Sequence, residues 1–348
     1  MTRSLSSRVL LRALCAVAFA GTLGAASAHL HAQRPYHILA HWKIGGTGGW
    51  DYMHVDPAAH RLYLAHGPRV EVIDTTTGKE VGAITGLHGT HGIAFNKDGK
   101  YGYISDGGGD AVVVFNRRTL AKVATVPAGS NPDGIIYEPA TNTVWAFNGH
   151  SHNATVIDAA TNKVAATIAL PGKPEFPQVD GKGTVFDNIE STSQVVRMDA
   201  RMKRVTAVWP AGCDGPSGLA IDTVGHRLFP VCDGKMSVID YRTGKLLANP
   251  SIGDGPDAVR WSARHHLVLT TCGDDGILAV VDASASGYPT IERLTTQRGA
   301  RTMAYDPETD RVYTVTAEFG PRPAPSAARP HPRPSIVPGT YTVIVIGR

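Results

Sequence analysis

The chain has 348 residues, of which 42% are hydrophobic and 18% charged, with 38 Gly and 23 Pro. That is too apolar for a disordered chain and too rich in turn-forming residues for a bundle of long helices. A formal charge of +4 is too small for a general polyanion binder.

Arg3, Arg8 and Arg12 precede an apolar run at 13–20, and small residues then lead to Ala26-Ser27-Ala28. That order is a secretory signal peptide over residues 1–28, with cleavage after Ala32 as the close alternative. A membrane anchor needs about 20 apolar residues, and this run is shorter. Cleavage removes three basic residues and no acidic ones, which leaves 31 Lys+Arg against 30 Asp+Glu. No later segment is apolar enough to span a bilayer, so the expected location is the periplasm or the exterior. Cys15 leaves with the leader, and Cys213, Cys232 and Cys272 remain. In an oxidising compartment they allow one internal disulfide and one spare thiol.

Beyond the leader, residues 37–44 alternate like an outermost strand and run into a further strand at 50–56. From there the chain repeats. Apolar strands ending in Asp74, Asn116, Asp158, Asp199, Asp240 and Asp282 recur every 41 or 42 residues, the period of a four-stranded propeller blade. In the second unit the strands are read at 91–96, 101–106, 111–116 and 121–127, divided by turn residues. A seventh unit repeats the first three strands at 301–306, 311–317 and 341–346 but lacks an outermost one. The strand at 37–44 supplies it. The expectation is an all-β, seven-bladed β-propeller in one domain spanning residues 33–348, closed by its N-terminal strand. A Pro- and Arg-rich insertion at 319–339 carries Arg322, Arg329 and Arg333 on the last blade.

The stretches Arg69-Val70-Glu71-Val72-Ile73-Asp74-Thr75-Thr76-Thr77-Gly78-Lys79, Val156-Ile157-Asp158 and Val238-Ile239-Asp240-Tyr241-Arg242-Thr243-Gly244-Lys245 resemble the YVTN repeats of the exported, YncE-like β-propeller family. The resemblance covers essentially the whole chain after the leader and implies the same fold. Related propellers include DNA binders, lactone-hydrolysing enzymes, quinoprotein subunits and surface proteins, so function must be argued from the site.

Ligands of propellers usually bind at the channel mouth. Aligning the innermost strands puts Asp51, His91, Asp133, Glu175, Ser217, Asp257 and Arg301 in one equivalent slot there. Wet channel mouths are polar in any propeller, and hydration alone would account for such a ring. As a site, Asp133, Glu175 and Asp257 offer oxygens to a hard cation, and Arg301 offers a guanidinium to an anionic group. Loops between second and third strands add further polar residues, His66, Asp187 and Asn188 among them. His88-x-x-His91 and His150-x-His152 are candidate ligands for a divalent transition metal, although such motifs in Gly/Ser/Asn loops are usually just solvated. Cys213 and Cys232 are read on one face of the fifth blade and form the preferred disulfide, with Cys232 and Cys272 the competing pair.

No nucleotide-binding glycine pattern and no C-x-x-C-H for covalent c-type haem occur. The leading expectation is a secreted, monomeric binding scaffold whose acidic mouth takes a small molecule, a cation or a protein partner. The near-zero mature charge argues against DNA, for which the basic insertion is the one local patch. The alternative is a lactonase-like hydrolase in which His91, Asp133 and Glu175 activate water and Arg301 steadies an oxyanion.

Overall fold

In each repeat the acid or amide that ends the third strand earns its place by local chemistry. Asp74 Oδ1 accepts the backbone N–H groups of Thr76 and Thr77 at 2.9 and 2.8 Å. Asn116 does the same for Arg118 and Thr119, and Asp158 for Ala160 and Thr161. A short side chain that satisfies the backbone two and three residues ahead fixes the turn into the outermost strand. The Thr76 hydroxyl and the Thr77 amide also hold the Asp74 carboxyl down to about 2.

The computed structural model describes residues 34–324 and 334–348. The expected signal peptide over 1–28 lies outside the described residues, as do Arg329 and Arg333 of the insertion. Residues 35–348 form one unit with seven antiparallel sheets. The first blade runs Trp50–Asp56, Arg61–His66, Arg69–Asp74 and Glu80–Ile84 from the inside outward, and the later blades repeat that order. Each innermost strand touches the innermost strands of both neighbouring blades, and the seventh meets the first, so the ring is closed.

Closure uses the N-terminal strand. His37–Lys43 pairs antiparallel with Thr342–Gly347, setting Ile38 against Ile346 and His41 against Ile344. The last blade therefore has four strands, and Thr342–Gly347 keeps no open edge. Trp42 packs on Tyr313 with ring centroids 5.7 Å apart. It also lies over Gly78, whose φ of +70° and lack of a Cβ leave room for the indole.

Burial explains the strand patterns. Second strands such as Arg61–His66 and Thr143–Asn148 are buried on both faces, because neighbouring blades cover both, whereas the outermost Arg204–Pro210 alternates exposed and half-buried residues. Among the described residues the buried apolar side chains collect in seven clusters, each between two adjacent blades. One joins Leu62 and Leu64 of the first blade to Tyr313 and Val343 of the last. Another joins Phe147 and Val156 of the third to Val185 and Val196 of the fourth. Removing this surface from water is the main force that assembles the ring.

Strand limits shift at the inner ends. The second blade begins with Thr90–Phe95 rather than 91–96, and the seventh with Met303–Asp306 rather than at 301. Its third strand is Thr342–Gly347. The cause is a break in pairing at the channel mouth. In the fifth blade the third strand is split into Lys235–Met236 and Val238–Asp240. Among the described residues no helix is long and apolar enough to cross a membrane.

Candidate functional site at the channel mouth

The slot identified by aligning the repeats coincides with an irregularity in the innermost strands. Register shifts fall between Trp50 and Met53, Thr90 and Ile93, Pro132 and Ile135, Pro174 and Pro177, and Pro256 and Ala258. In the fifth and seventh blades the ladder starts only at Leu219 and Met303. A bulge frees residues from the ladder and re-aims their side chains, so that Tyr52 and Phe176, each one position past the slot, meet from the first and fourth blades.

Second strands supply the polar groups that hold the bulged backbone. Ser105 Oγ accepts the Gly92 N–H at 2.7 Å and donates to the Asp133 carbonyl at 2.5 Å. Asn188 Nδ2 donates to the Ser217 and Gly218 carbonyls, both at 2.9 Å. Thr271 Oγ1 donates to the Arg301 carbonyl. The bonds to the Asp133, Ser217, Gly218 and Arg301 carbonyls each cross from one blade to the next, so these slot segments are positioned by their neighbours. A Cβ on Gly134 would stand 2.4 Å from the Glu175 carbonyl oxygen, which is why glycine follows the slot in the third blade.

The ring brings together most of the aligned residues. His91 Nδ1 lies 2.5 Å from Asp51 Oδ2 and 3.6 Å from Asp133 Oδ1. Arg301 Nε lies 2.7 Å from Asp257 Oδ2, and its Nη2 donates to the Trp50 carbonyl at 3.3 Å. Glu175 receives Lys173 Nζ at 3.0 Å and the Tyr52 hydroxyl at 3.5 Å. Ser217 turns away from ligand chemistry, since its Oγ donates to the Pro256 carbonyl at 2.7 Å. Around the mouth, Phe319 of the insertion packs on Trp50 at 6.2 Å, and its backbone bridges to Ile336.

Burial and like charge set the electrostatics. Burial first, and the nearby Asp51 carboxylate second, raise the Asp133 carboxyl well above the carboxylate range, with the His91 charge opposing. Burial and Asp133 do the same to Glu175, against Lys173. Burial by itself would disfavour charge on His91. The Asp51 hydrogen bond and the Asp133 charge outweigh it and push the imidazole up to about 9. Asp187, in the strand Thr184–Ile189, is fully buried behind the ring, and burial holds its carboxyl far above the ordinary range.

Three donors gather closely enough for one cation. One ligand atom each from Asp51, His91 and Asp133 lies within 4.8 Å of the others. Asp133 Oδ1 and Glu175 Oε2 are buried without a hydrogen-bond partner in good geometry. An imidazole with two carboxylates suits a divalent ion with mixed nitrogen and oxygen preference.

The four-histidine set is not gathered. Among the described residues, only His91 of His88, His91, His150 and His152 belongs to a group of three or more such donors. His88 points its Nδ1 to Asp106 at 3.1 Å with a side chain 70% exposed, and His150 and His152 are exposed. Their loops stay open to water because no second blade packs over them. His66, read in a mouth loop, is instead buried, 3.0 Å from Glu71 and against the Tyr341 ring. Asp187 and Asn188 likewise belong to a strand. Sequence reasoning missed Lys173 and Tyr52; their one signal was adjacency, two residues before and one after a slot position. Cys213 and Cys232 are joined with Cα atoms 6.0 Å apart, and Cys272 is a buried free thiol.

No family model matches the chain. It is 23% identical over 200 residues to the curated proteins named uncharacterized protein YncE of Salmonella typhi and of Salmonella typhimurium, covering 55% of this chain. The match spans 56% of those relatives' length, about half. Among solved structures, the hydrazine synthase of Kuenenia stuttgartiensis superposes with a TM-score of 0.69 at 16% identity, covering 77% of this chain and 92% of that one. U3-55K superposes with a TM-score of 0.71 at 12% identity, covering 89% and 98%. These likenesses concern the fold. The chain is a seven-bladed β-propeller, similar over about half of its length to the YncE proteins.

Proposed function

We propose that this is an exported binding propeller whose mouth holds a divalent cation between Asp51, His91 and Asp133. One observation carries the reading: three convergent donor atoms within 4.8 Å, one of them a buried Asp133 oxygen that no protein donor satisfies. Closely packed carboxylates cost free energy unless a proton or a cation compensates them. Glu175, Lys173, Asp257 and Arg301 flank the cation and give the mouth both signs of charge for a small polar ligand. Export, a periplasmic or secreted location and a monomeric state belong to the same proposal, supported by the leader pattern in residues 1–28.

The cation must displace the proton of His91, since that imidazole titrates near 9. Binding at neutral pH therefore releases protons and tightens as pH rises. Titration calorimetry of the purified protein with Zn2+ or Mn2+, in buffers of different ionisation enthalpy, should find one equivalent bound with proton release. Asp51→Asn or His91→Gln should weaken it at least tenfold. Absence of binding, or variants that bind like the wild type, sinks the proposal.

A hydrolase reading has one specific support, a carboxyl at Asp133 raised toward neutral pH and so suited to general-base work. His91, Asp133 and Glu175 would then handle the water proton and Arg301 the oxyanion. A lactone and ester panel with and without chelator tests it; no turnover above buffer, or turnover unchanged in Asp133→Asn, excludes it.

A further inference from the structure

Below the mouth ring the channel is divided. Tyr52 of the first blade and Phe176 of the fourth meet edge to face, with ring centroids 4.9 Å apart. The Tyr52 hydroxyl reaches up to Glu175. Beneath this pair lies a cavity of about 300 Å3, whose walls come from the first, second, third, fourth and sixth blades. It is separate from the cation site, because its polar residues sit three positions further along each innermost strand.

Those deeper positions are His54, Ala94, Ile136, Gln178, Ala220, Arg260 and Ala304 by alignment with the slot. Small or apolar residues fill four of the seven, so the three polar ones define the chemistry. Gln178 is spent on structure, since its Nε2 donates to the Leu219 carbonyl at 2.8 Å. His54 Nδ1 donates to the Ile93 carbonyl at 3.0 Å and its ring lies 4.4 Å from that of Phe95. That bond leaves Nε2 as an acceptor. Arg260 is the lone cation of the set. Its guanidinium lies over the Phe176 ring at 5.2 Å, and Nη1 donates to the Val259 carbonyl at 2.8 Å.

No carboxylate of the described residues stands within salt-bridge distance of Arg260, unlike Arg117, Arg227 and Arg301, each of which has one. The side chain nevertheless keeps part of its surface accessible and lines the cavity. A guanidinium taken deep into a protein is costly unless an anion meets it. Burial accordingly weakens its hold on the proton, to about 10. Its remaining N–H donors are arranged for two-point contact with a planar anion. Phe95, Ile135, Tyr137 and Phe176 offer flat or apolar surface for the rest of a ligand.

We propose that this second chamber binds a small monocarboxylic acid with a planar, apolar body, its carboxylate on Arg260 and its body against the aromatic wall. The site stands apart from the mouth and does not depend on a cation there. Inorganic anions would meet the guanidinium but leave the aromatic wall unused. Neutral analogues would fill the wall but leave the charge unmet.

The test uses the full mature protein and benzoate as the probe, with benzamide and inorganic phosphate beside it, all in the presence of chelator. Calorimetry should find one saturable benzoate site, with benzamide and phosphate each at least tenfold weaker. Arg260→Gln should abolish benzoate binding, and Ile136→Trp, which fills the chamber from the opposite wall without touching the charge, should block it as well. Circular dichroism melts establish that each variant is folded, and Ile136→Trp decides the matter if Arg260→Gln fails to fold. No benzoate binding by folded wild type, equal affinity for benzamide or phosphate, or undiminished binding in either folded variant overturns the proposal.

Discussion

Neutralising the two raised carboxyls at the mouth should stabilise the ring, and the effect should depend on pH in a defined direction. Asp133 rises from 3.8 to about 7 and Glu175 from 4.5 to about 8, with side chains only 12% exposed in each case. Their folded-state affinity for protons exceeds that of the unfolded chain. The stability they contribute is thus fully present below about pH 4 and is lost as pH rises through about 8. At about 1.4 kcal/mol per tenfold change in proton affinity, each ionised carboxylate alone would cost about 5 kcal/mol. Burial is the largest cause in each case, with the Asp51 charge next for Asp133 and the Asp133 charge next for Glu175; discounted for the coupling between the two, the pair together is worth on the order of 4 kcal/mol. For a ring of roughly 300 residues this corresponds to about 6 °C in Tm.

The assay is thermal melting at low salt with chelator, at about pH 5 and about pH 8.5, of wild type and Asp133→Asn/Glu175→Gln. Wild type should lose about 6 °C more than the variant across that interval. His91 adds its own decline between its ordinary 6.5 and about 9; the part due to its Asp51 bond is common to both proteins, whereas the part due to the Asp133 and Glu175 charges is lost in the variant and adds to the difference. Parallel pH profiles, or a double variant less stable than wild type at the higher pH, would refute the electrostatic account. The ring would then be a hydrogen-bonded scaffold that needs its carboxylates.

Three further outcomes follow from the fold. Deleting residues 34–44 exposes the edge of Thr342–Gly347 and removes Trp42 from Tyr313; Tm should fall by about 10 °C or more, and an unchanged melt would contradict closure. Reducing the bond between Cys213 and Cys232, 19 residues apart, should cost about 3 kcal/mol; thiol titration of the mature chain in denaturant should find one free thiol before reduction and three after. Asn188→Ala leaves the Ser217 and Gly218 carbonyls without their side-chain donor and should destabilise by about 2 kcal/mol, whereas Asn188→Asp, whose carboxylate has no N–H to give, should not rescue it.

What the sequence by itself determined is what local chemistry repeats. The 41- or 42-residue period was legible because one Asp or Asn per blade caps its own turn, as Asp74 and Asn116 do. The alternation at 37–44, set beside a seventh unit lacking a strand, was enough to infer closure, since side-chain period and strand count are properties of the chain alone. The slot from Asp51 to Arg301 was legible for the same reason: equivalent positions in a repeat occupy equivalent places in a ring.

Only the tertiary structure decided which of those groups meet. His91 chooses Asp51 rather than His88, because its own blade turns His88 toward Asp106 while the neighbouring blade presents Asp51 at 2.5 Å. Bulges in the innermost strands break the period-2 rule on which alternation depends. Tyr52 and Phe176 close the channel from blades 1 and 4, and Arg260 acquires its meaning from a cavity bounded by five blades. Contacts across the axis join residues as far apart as the 123 positions between Tyr52 and Glu175. No short-range pattern encodes such a meeting, because it exists only once the ring has closed and every blade's tilt has been set by packing against its two neighbours.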